Sequence, residues 1–225
     1  MILIGVEEAG RGPVIGPMTM CAFAIDESQN ETLLNMGVKD SKLLSPVKRA
    51  QLKPILEKNY EFEKIIVSAK EVDAALNDDD MNLNWLEAVT SAGLCNRLIK
   101  KISDKNITII LDCPSTNIPA YSEYFRRHLV IVNKNIKVLA EHKADVNHPV
   151  VGAASIVAKV TRDAEIEKIK QKIGINFGSG YPADPKTKLF LEENYDKYDI
   201  FRKSWESWKR IARKKNSNQL NLDSF

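Results

Sequence analysis

The sequence predicts an α/β fold built on a mixed sheet. Two observations carry this. Three strand-like segments open the chain, and helical and strand-like segments then alternate to near its end. A third sets the scale: 225 residues, 44% hydrophobic and 28% charged, with no internal repeat or low-complexity tract, suffice for one large core or two small ones. That composition excludes collagen-like, disordered and mucin-like chains.

Residues 2–6 (ILIGV) are a short run rich in Ile and Val, which predicts a buried strand. The glycine-rich stretch AGRGPVIGP follows, then a second strand over 18–25. DESQNE reads as a turn and VKDSKLLSP as a loop. Ser45-Pro46 opens a helix to residue 58, with proline suited to the first turn. EKIIVSAK (63–70) predicts the third strand. Asn84-x-x-Glu87 has capping-box spacing and opens a helix to residue 102. ITIILDC (107–113) is apolar until Asp112, as a central strand should be. A helix over 117–127 and a strand over 136–142 come next. Gly152, Ala153, Ala154 and Ala158 let a helix over 150–170 pack closely against a sheet. FGSGYPADP (177–185) is turn-rich. Helices over 186–195 and 204–215 follow, and the last ten residues read as a flexible tail.

The formal charge of +3 is unevenly spread. Residues 202–215 hold seven basic residues and one acid; without them, 26 basic residues face 29 acidic ones. A short basic segment of this kind suits nucleic acid or an anionic membrane surface, although many are only solvated helix faces. No run reaches the ~18 apolar residues of a membrane span, and the N-terminus lacks the pattern of a signal peptide. Cys21, Cys95 and Cys113 lack C-x-x-C spacing and read as buried thiols in a reducing compartment. The expected location is therefore the cytoplasm.

Acids stand where strands end: Glu7 and Glu8 after ILIGV, Asp112 after ITIIL, and Asp145 just past IKVLAEHKA. Singly, each is an ordinary solvated residue. Brought together by one sheet, such acids repel one another, and a divalent cation relieves the repulsion. All-oxygen ligands suit Mg²⁺ or Mn²⁺ rather than zinc. Two such ions ~4 Å apart clamp an in-line phosphoryl displacement. Other patterns fail. Gly10-x-Gly12-x-x-x-Gly16 is one residue too long for a dinucleotide fingerprint, Pro13 follows its second glycine, and a strand rather than a helix comes next. His128, His142 and His148 lack zinc spacing.

Several motifs in order closely resemble the ribonuclease HII family (type 2 ribonuclease H) in its archaeal-like form. They are GVEEAGRGPVIGP, GVKDSK (37–42), ILDCPSTN (110–117), AEHKADVNHPVVGAASIVAKVTRD (140–163), GSGYPADP (178–185) and RKSWESWK (202–209). The resemblance implies a ribonuclease H-like fold with a mixed five-stranded sheet flanked by helices and a C-terminal helical extension. The expected division is a catalytic domain over 1–178, the extension over 179–215 and a tail over 216–225. The implied activity is cleavage of the RNA strand of RNA–DNA hybrids and incision 5′ of a single ribonucleotide in duplex DNA, leaving 3′-hydroxyl and 5′-phosphate ends. The implied cofactor is a two-ion site of Mg²⁺ or Mn²⁺ held by the catalytic acids Glu7, Glu8, Asp112 and Asp145. The family motif begins Asp-Glu-Ala-Gly-Arg-Gly, and Glu7 stands in place of its Asp.

The resemblance also assigns nucleic-acid contacts. Gly10, Arg11 and Gly12 match the junction-reading motif, where a close backbone can sense a 2′-hydroxyl. Tyr181 matches the tyrosine that packs on the neighbouring deoxyribose. Lys39, Ser41, Lys42 and Lys143 are expected phosphate contacts, with Arg202, Lys203, Lys209 and Arg210 extending the footprint. The chain ends with Gln219, Leu222 and Phe225 in Q-x-x-L-x-x-F spacing, similar to a sliding-clamp (PCNA) binding box. A monomer is expected. Two alternatives stand beside this reading. One is a non-catalytic binder of ribonucleotide-containing DNA disabled at Glu7. The other is ribonuclease HIII, disfavoured because that type usually lacks GRG.

Overall fold

The computed structural model describes residues 1–38, 43–103, 106–130 and 134–222, with 218–222 described through their backbone alone. Five strands form one mixed sheet: β1 (Ile2–Ala9), β2 (Met18–Asp26), β3 (Glu61–Val67), β4 (Asn106–Asp112) and β5 (Asn135–Glu141), in the order β3-β2-β1-β4-β5. β1 and β2 are antiparallel, while β1 and β4, and β4 and β5, are parallel. This is the expected α/β class with its mixed five-stranded sheet. The helices are α1 (Asn30–Asn35), α2 (Pro46–Asn59), α3 (Ala69–Leu76), α4 (Leu83–Lys101), α5 (Ile118–Arg127), α6 (Ala144–Asn147), α7 (Pro149–Ile173), α8 (Pro185–Asn194) and α9 (Glu206–Leu222). None is long and apolar enough to cross a membrane.

Several boundaries differ from the sequence expectation, each for a local reason. β1 does not stop before its acids but runs through Glu7 and Glu8 to Ala9, because β2 pairs with it to Thr19. DESQNE is a 3₁₀ turn leading into α1, started by an Asp26 capping box. β3 ends at Val67 because Ser68 caps α3, with Glu71 reaching back to the Ser68 N–H. The cap of α4 is Asn82, whose side chain accepts from Trp85 N, not Asn84. α9 continues past residue 215 to Leu222.

The chain divides into two compact units, and neither is one continuous stretch. The first comprises Met1–Ala9, Thr19–Ile66 and Asn82–Thr161. Its core joins Phe23, Leu52 and Leu56 to Val150, Val151, Ala153, Ala154, Val157 and Ala158. Small residues on α7 permit a close approach to β1: a Cβ placed on Gly5 would lie 2.4 Å from the Val150 carbonyl carbon and 2.5 Å from Val151 N. On the other side, Trp85 of α4 stacks on Tyr124 of α5 with centroids 4.4 Å apart. Cys21, Cys95 and Cys113 are free, buried thiols, and burial pushes all three up from the usual range.

The second unit comprises Gly10–Met18, Val67–Met81 and Arg162–Phe225. Val14, Ile15, Ile166, Phe177, Phe190, Phe201 and Ile211 form its core. The glycine-rich stretch after β1 is tied into it: Val14 N donates to Gly180 O (2.9 Å), and Ile15 pairs with Phe201.

Gly5→Ala should destabilise the protein by roughly 2–3 kcal/mol, since the added methyl meets backbone that cannot rotate away. Urea unfolding of the two proteins checks it; an equal midpoint would show that α7 shifts freely.

Candidate active site

Parallel pairing sets the site in the first unit. Val6 lies opposite Leu111, and Asp112 lies opposite Glu141. The carboxyl ends of β1, β4 and β5 therefore open on one edge, where open α/β sheets bind ligands. Glu7 and Asp112 each follow a paired residue, so register brings the two acids side by side. Strand alternation sends Glu7 and Glu8 to opposite faces. Glu7 is only 6% exposed, whereas Glu8 is half-buried.

Asp145 arrives by a different route. Lys143 adopts a left-handed conformation (φ 60°), which turns the chain off β5 into α6. Ala144 N then donates to Asp112 Oδ1 (3.3 Å). The Glu141 carboxylate accepts from Asn147 (2.8 Å) and lies 3.1 Å from His148 Nε2, which holds α6 over the strand end. Asp145 is left at 0% exposure. One oxygen each from Glu7, Asp112 and Asp145 lies within 4.8 Å of the others.

Such a cluster is electrostatically costly. Burial, and then the negative charges of Glu8 and Asp112, push the Glu7 carboxyl well above the usual carboxylate range. Lys159 works against this from 3.7 Å, on α7, with its ammonium also held by Ser155. Among the described residues no donor reaches Glu7 Oε2. A largely buried, all-oxygen, carboxylate-rich cluster with an oxygen lacking a donor suits a hard divalent cation. Glu7, Asp112 and Asp145 therefore fit a metal. Glu8 stands outside the trio but close enough to act on Glu7 through its charge.

Other expected contacts fall in the second unit. Gly10 (φ 87°) carries no Cβ, and one placed there would lie 2.4 Å from the Arg162 side chain. A Cβ on Gly12, which is exposed, would lie 3.5 Å from the Tyr181 ring. Tyr181 is 43% exposed, with the buried Arg162 guanidinium 5.4 Å from its ring centroid. Arg162 also donates to Ser179 O (3.3 Å). Within this unit the structure thus brings Gly12, Tyr181 and Arg162 together; Arg11 is half-buried.

One expectation is corrected. Arg202 is fully buried at 0% exposure, donating to Gly16 O and Arg11 O, so it is not a surface contact for a duplex. Lys203, Lys209, Arg210 and Lys143 are exposed, as phosphate contacts must be. Lys39, Ser41, Lys42 and Phe225 lie outside the described residues, and Gln219 and Leu222 belong to α9. The sequence reading missed Lys159, Arg162 and Trp205. A lone lysine at residue 159 within an otherwise small, apolar run was the one available signal for the first.

The family model for ribonuclease HII matches residues 4–208. The chain belongs to the ribonuclease HII family. Ribonuclease HII from Methanocaldococcus jannaschii is 44% identical over 233 residues, covering 99% of this chain and 100% of that protein. The crystal structure of ribonuclease H2 from Pyrococcus horikoshii superposes with a TM-score of 0.83 at 40% identity, covering 95% of this chain and 98% of that one. A structure of the PCNA:RNase HII complex from Archaeoglobus fulgidus matches with a TM-score of 0.79 at 32% identity, over 93% and 96% of the two chains. The ribonuclease HII fold is thus shared throughout. The protein is a hydrolase of the ribonuclease H type, and ribonuclease HII activity depends on divalent metal.

Native Glu7 keeps its proton at pH values where the unfolded chain, titrating near 4.5, has released it. In EDTA this lowers stability as pH rises above 4.5 through the raised native pKa. Glu7→Gln should remove that loss, so its stability advantage over the wild type grows with pH, by at most ~1.4 kcal/mol per unit. Denaturant unfolding at several pH values measures it. Added Mn²⁺ should raise Tm more in the wild type than in Glu7→Gln. A variant stabilised equally by metal would remove Glu7 from the ligand set.

Proposed function

We propose that this enzyme hydrolyses the RNA strand of RNA–DNA hybrids and cuts 5′ of single ribonucleotides embedded in duplex DNA, leaving 3′-hydroxyl and 5′-phosphate ends. The Glu7–Asp112–Asp145 trio at the sheet edge, with Glu7 and Asp145 buried, carries this reading. Bound by these acids together with Glu8, two Mg²⁺ or Mn²⁺ ions would supply the charge that activates an attacking water and steadies the departing 3′-oxygen. The protein's own part is positional. Glu7, Asp112 and Asp145 hold their oxygens close together, with Glu7 and Asp145 buried, and Lys159 limits the repulsion among them before metal arrives.

Reading of the ribonucleotide falls to the second unit, and phosphate contacts come from both units. The Gly10-Arg11-Gly12 backbone senses the 2′-hydroxyl, and the Tyr181 ring packs on the deoxyribose beside it, a fit that a 2′-hydroxyl would spoil. Arg11 holds a phosphate through its forked donors. Lys39, Ser41, Lys42 and Lys143 contact the backbone, and Lys203, Lys209 and Arg210 extend the footprint, so affinity falls steeply with salt. This chemistry serves removal of ribonucleotides in DNA replication and repair, by a cytoplasmic monomer.

The longer arm of Glu7 alters this balance. Mg²⁺ demands near-ideal octahedral geometry, and a ~1 Å misplacement can cost on the order of 100-fold in rate. Glu7→Asp should therefore raise the single-turnover cleavage rate of a duplex carrying one ribonucleotide at least several-fold in Mg²⁺. An unchanged or lower rate refutes that role. Tight binding without cleavage, in Mg²⁺ and in Mn²⁺, would make the protein a non-catalytic reader instead.

Gln219, Leu222 and Phe225 are proposed to dock a PCNA-type sliding clamp, an assignment supported by their spacing and by the clamp-bound Archaeoglobus relative. Deleting 217–225 should abolish clamp capture in a pull-down and leave hydrolysis intact. Capture that survives the deletion assigns the contact elsewhere.

A further inference from the structure

Burying a guanidinium is costly unless its donors are met. Arg202 is buried completely, and one short loop accepts from three of its N–H groups. Its Nη1 donates to Arg11 O (3.0 Å), its Nε to Gly16 O (3.1 Å) and its backbone N–H to Val14 O (2.8 Å). Trp205 completes the arrangement. Its ring centroid lies 4.8 Å from the guanidinium carbon, and its Nε1 donates to Gly12 O (3.2 Å). The segment bearing both residues is anchored in turn by Asp73 on α3, which accepts from Lys203 N (2.7 Å) and Ser204 N (3.0 Å).

These bonds fix a direction. In a planar trans peptide the C=O and the following N–H point opposite ways. Drawing Arg11 O toward Arg202 therefore aims the Gly12 N–H away from Arg202. The next peptide, held by Trp205, ends in Pro13 and has no N–H to compete. Gly12 is exposed, and the Tyr181 ring borders it. A single donor of set direction beside an aromatic platform is suited to a hydroxyl on a sugar.

We propose that Arg202 and Trp205 are positioning residues for ribonucleotide discrimination, acting through the Arg11 and Gly12 carbonyls without touching the nucleic acid. The inference rests on the ribonucleotide-reading function proposed above. It explains why a segment that looks from its charge like a surface contact buries its first arginine.

The test uses the full chain, with Trp205→Phe, which keeps an aromatic ring but loses the Nε1 donor, and Arg202→Lys, which keeps the charge but loses the fork. Fluorescence anisotropy in Ca²⁺ measures Kd for a DNA duplex with one ribonucleotide and for the same duplex without it. The wild type should prefer the former, and each variant should shrink that preference at least ~5-fold, the loss expected for a mis-set hydrogen bond. The loss should fall on the ribonucleotide duplex. A folded variant with lowered Tm but full preference overturns the positioning role alone. A wild type without preference overturns the ribonucleotide-reading function and this inference with it. Should Arg202→Lys fail to fold, Trp205→Phe decides the matter.

Discussion

Three carboxylates with oxygens within 4.8 Å of one another, two of them nearly or fully excluded from water, would push a protein apart if their placement were left to flexible loops. The first unit is organised around preventing that. Parallel pairing of β1, β4 and β5 brings the acid-bearing ends to one edge. The left-handed turn at Lys143 and the Ala144 N–H bond to Asp112 clamp α6 over them. Lys159 supplies a cation from α7. Burial, and then the charges of Glu8 and Asp112, still push the Glu7 carboxyl above the usual carboxylate range, so the site favours taking up positive charge.

A different constraint governs the second unit. There the buried Arg202 charge is positive, and backbone carbonyls accept from it. Arg202 and Trp205 hold the glycine-rich loop by its oxygens, while Gly180 O takes the Val14 and Ile15 N–H groups. Glycines are needed at Gly10 and Gly180, where φ is positive and the Arg162 side chain or the Ile15 backbone leaves no room for a Cβ. The glycine-rich loop is thereby held in place through its backbone oxygens.

Much of this was legible in the residues. Apolar runs marked β1, β4 and β5, and the acids at their ends marked Glu7, Glu8, Asp112 and Asp145, three of which the sheet brings together. The three buried alanines and the glycine of α7 signalled a close sheet contact, met at Gly5. Local caps were read less well. Asn84 has the right spacing but Asn82 makes the bond, and Ser68 was absorbed into a strand that it in fact ends. Capping depends on which side chain the backbone geometry brings within reach, and neighbouring Ser and Asn residues differ little in propensity.

Sequence by itself determined the fold class, the acids and the family, since hydrophobic periodicity and long ordered motifs are carried residue by residue. It could not separate Glu7 from Glu8, because that distinction is made by the face of β1 each occupies once its neighbours pair. Nor could it tell that Arg202 is buried among carbonyls while Lys203 beside it is exposed. Charge is a property of the residue, but burial and hydrogen bonding belong to the packed chain. Only tertiary structure therefore decided which charges cluster, which hold the backbone and which face solvent.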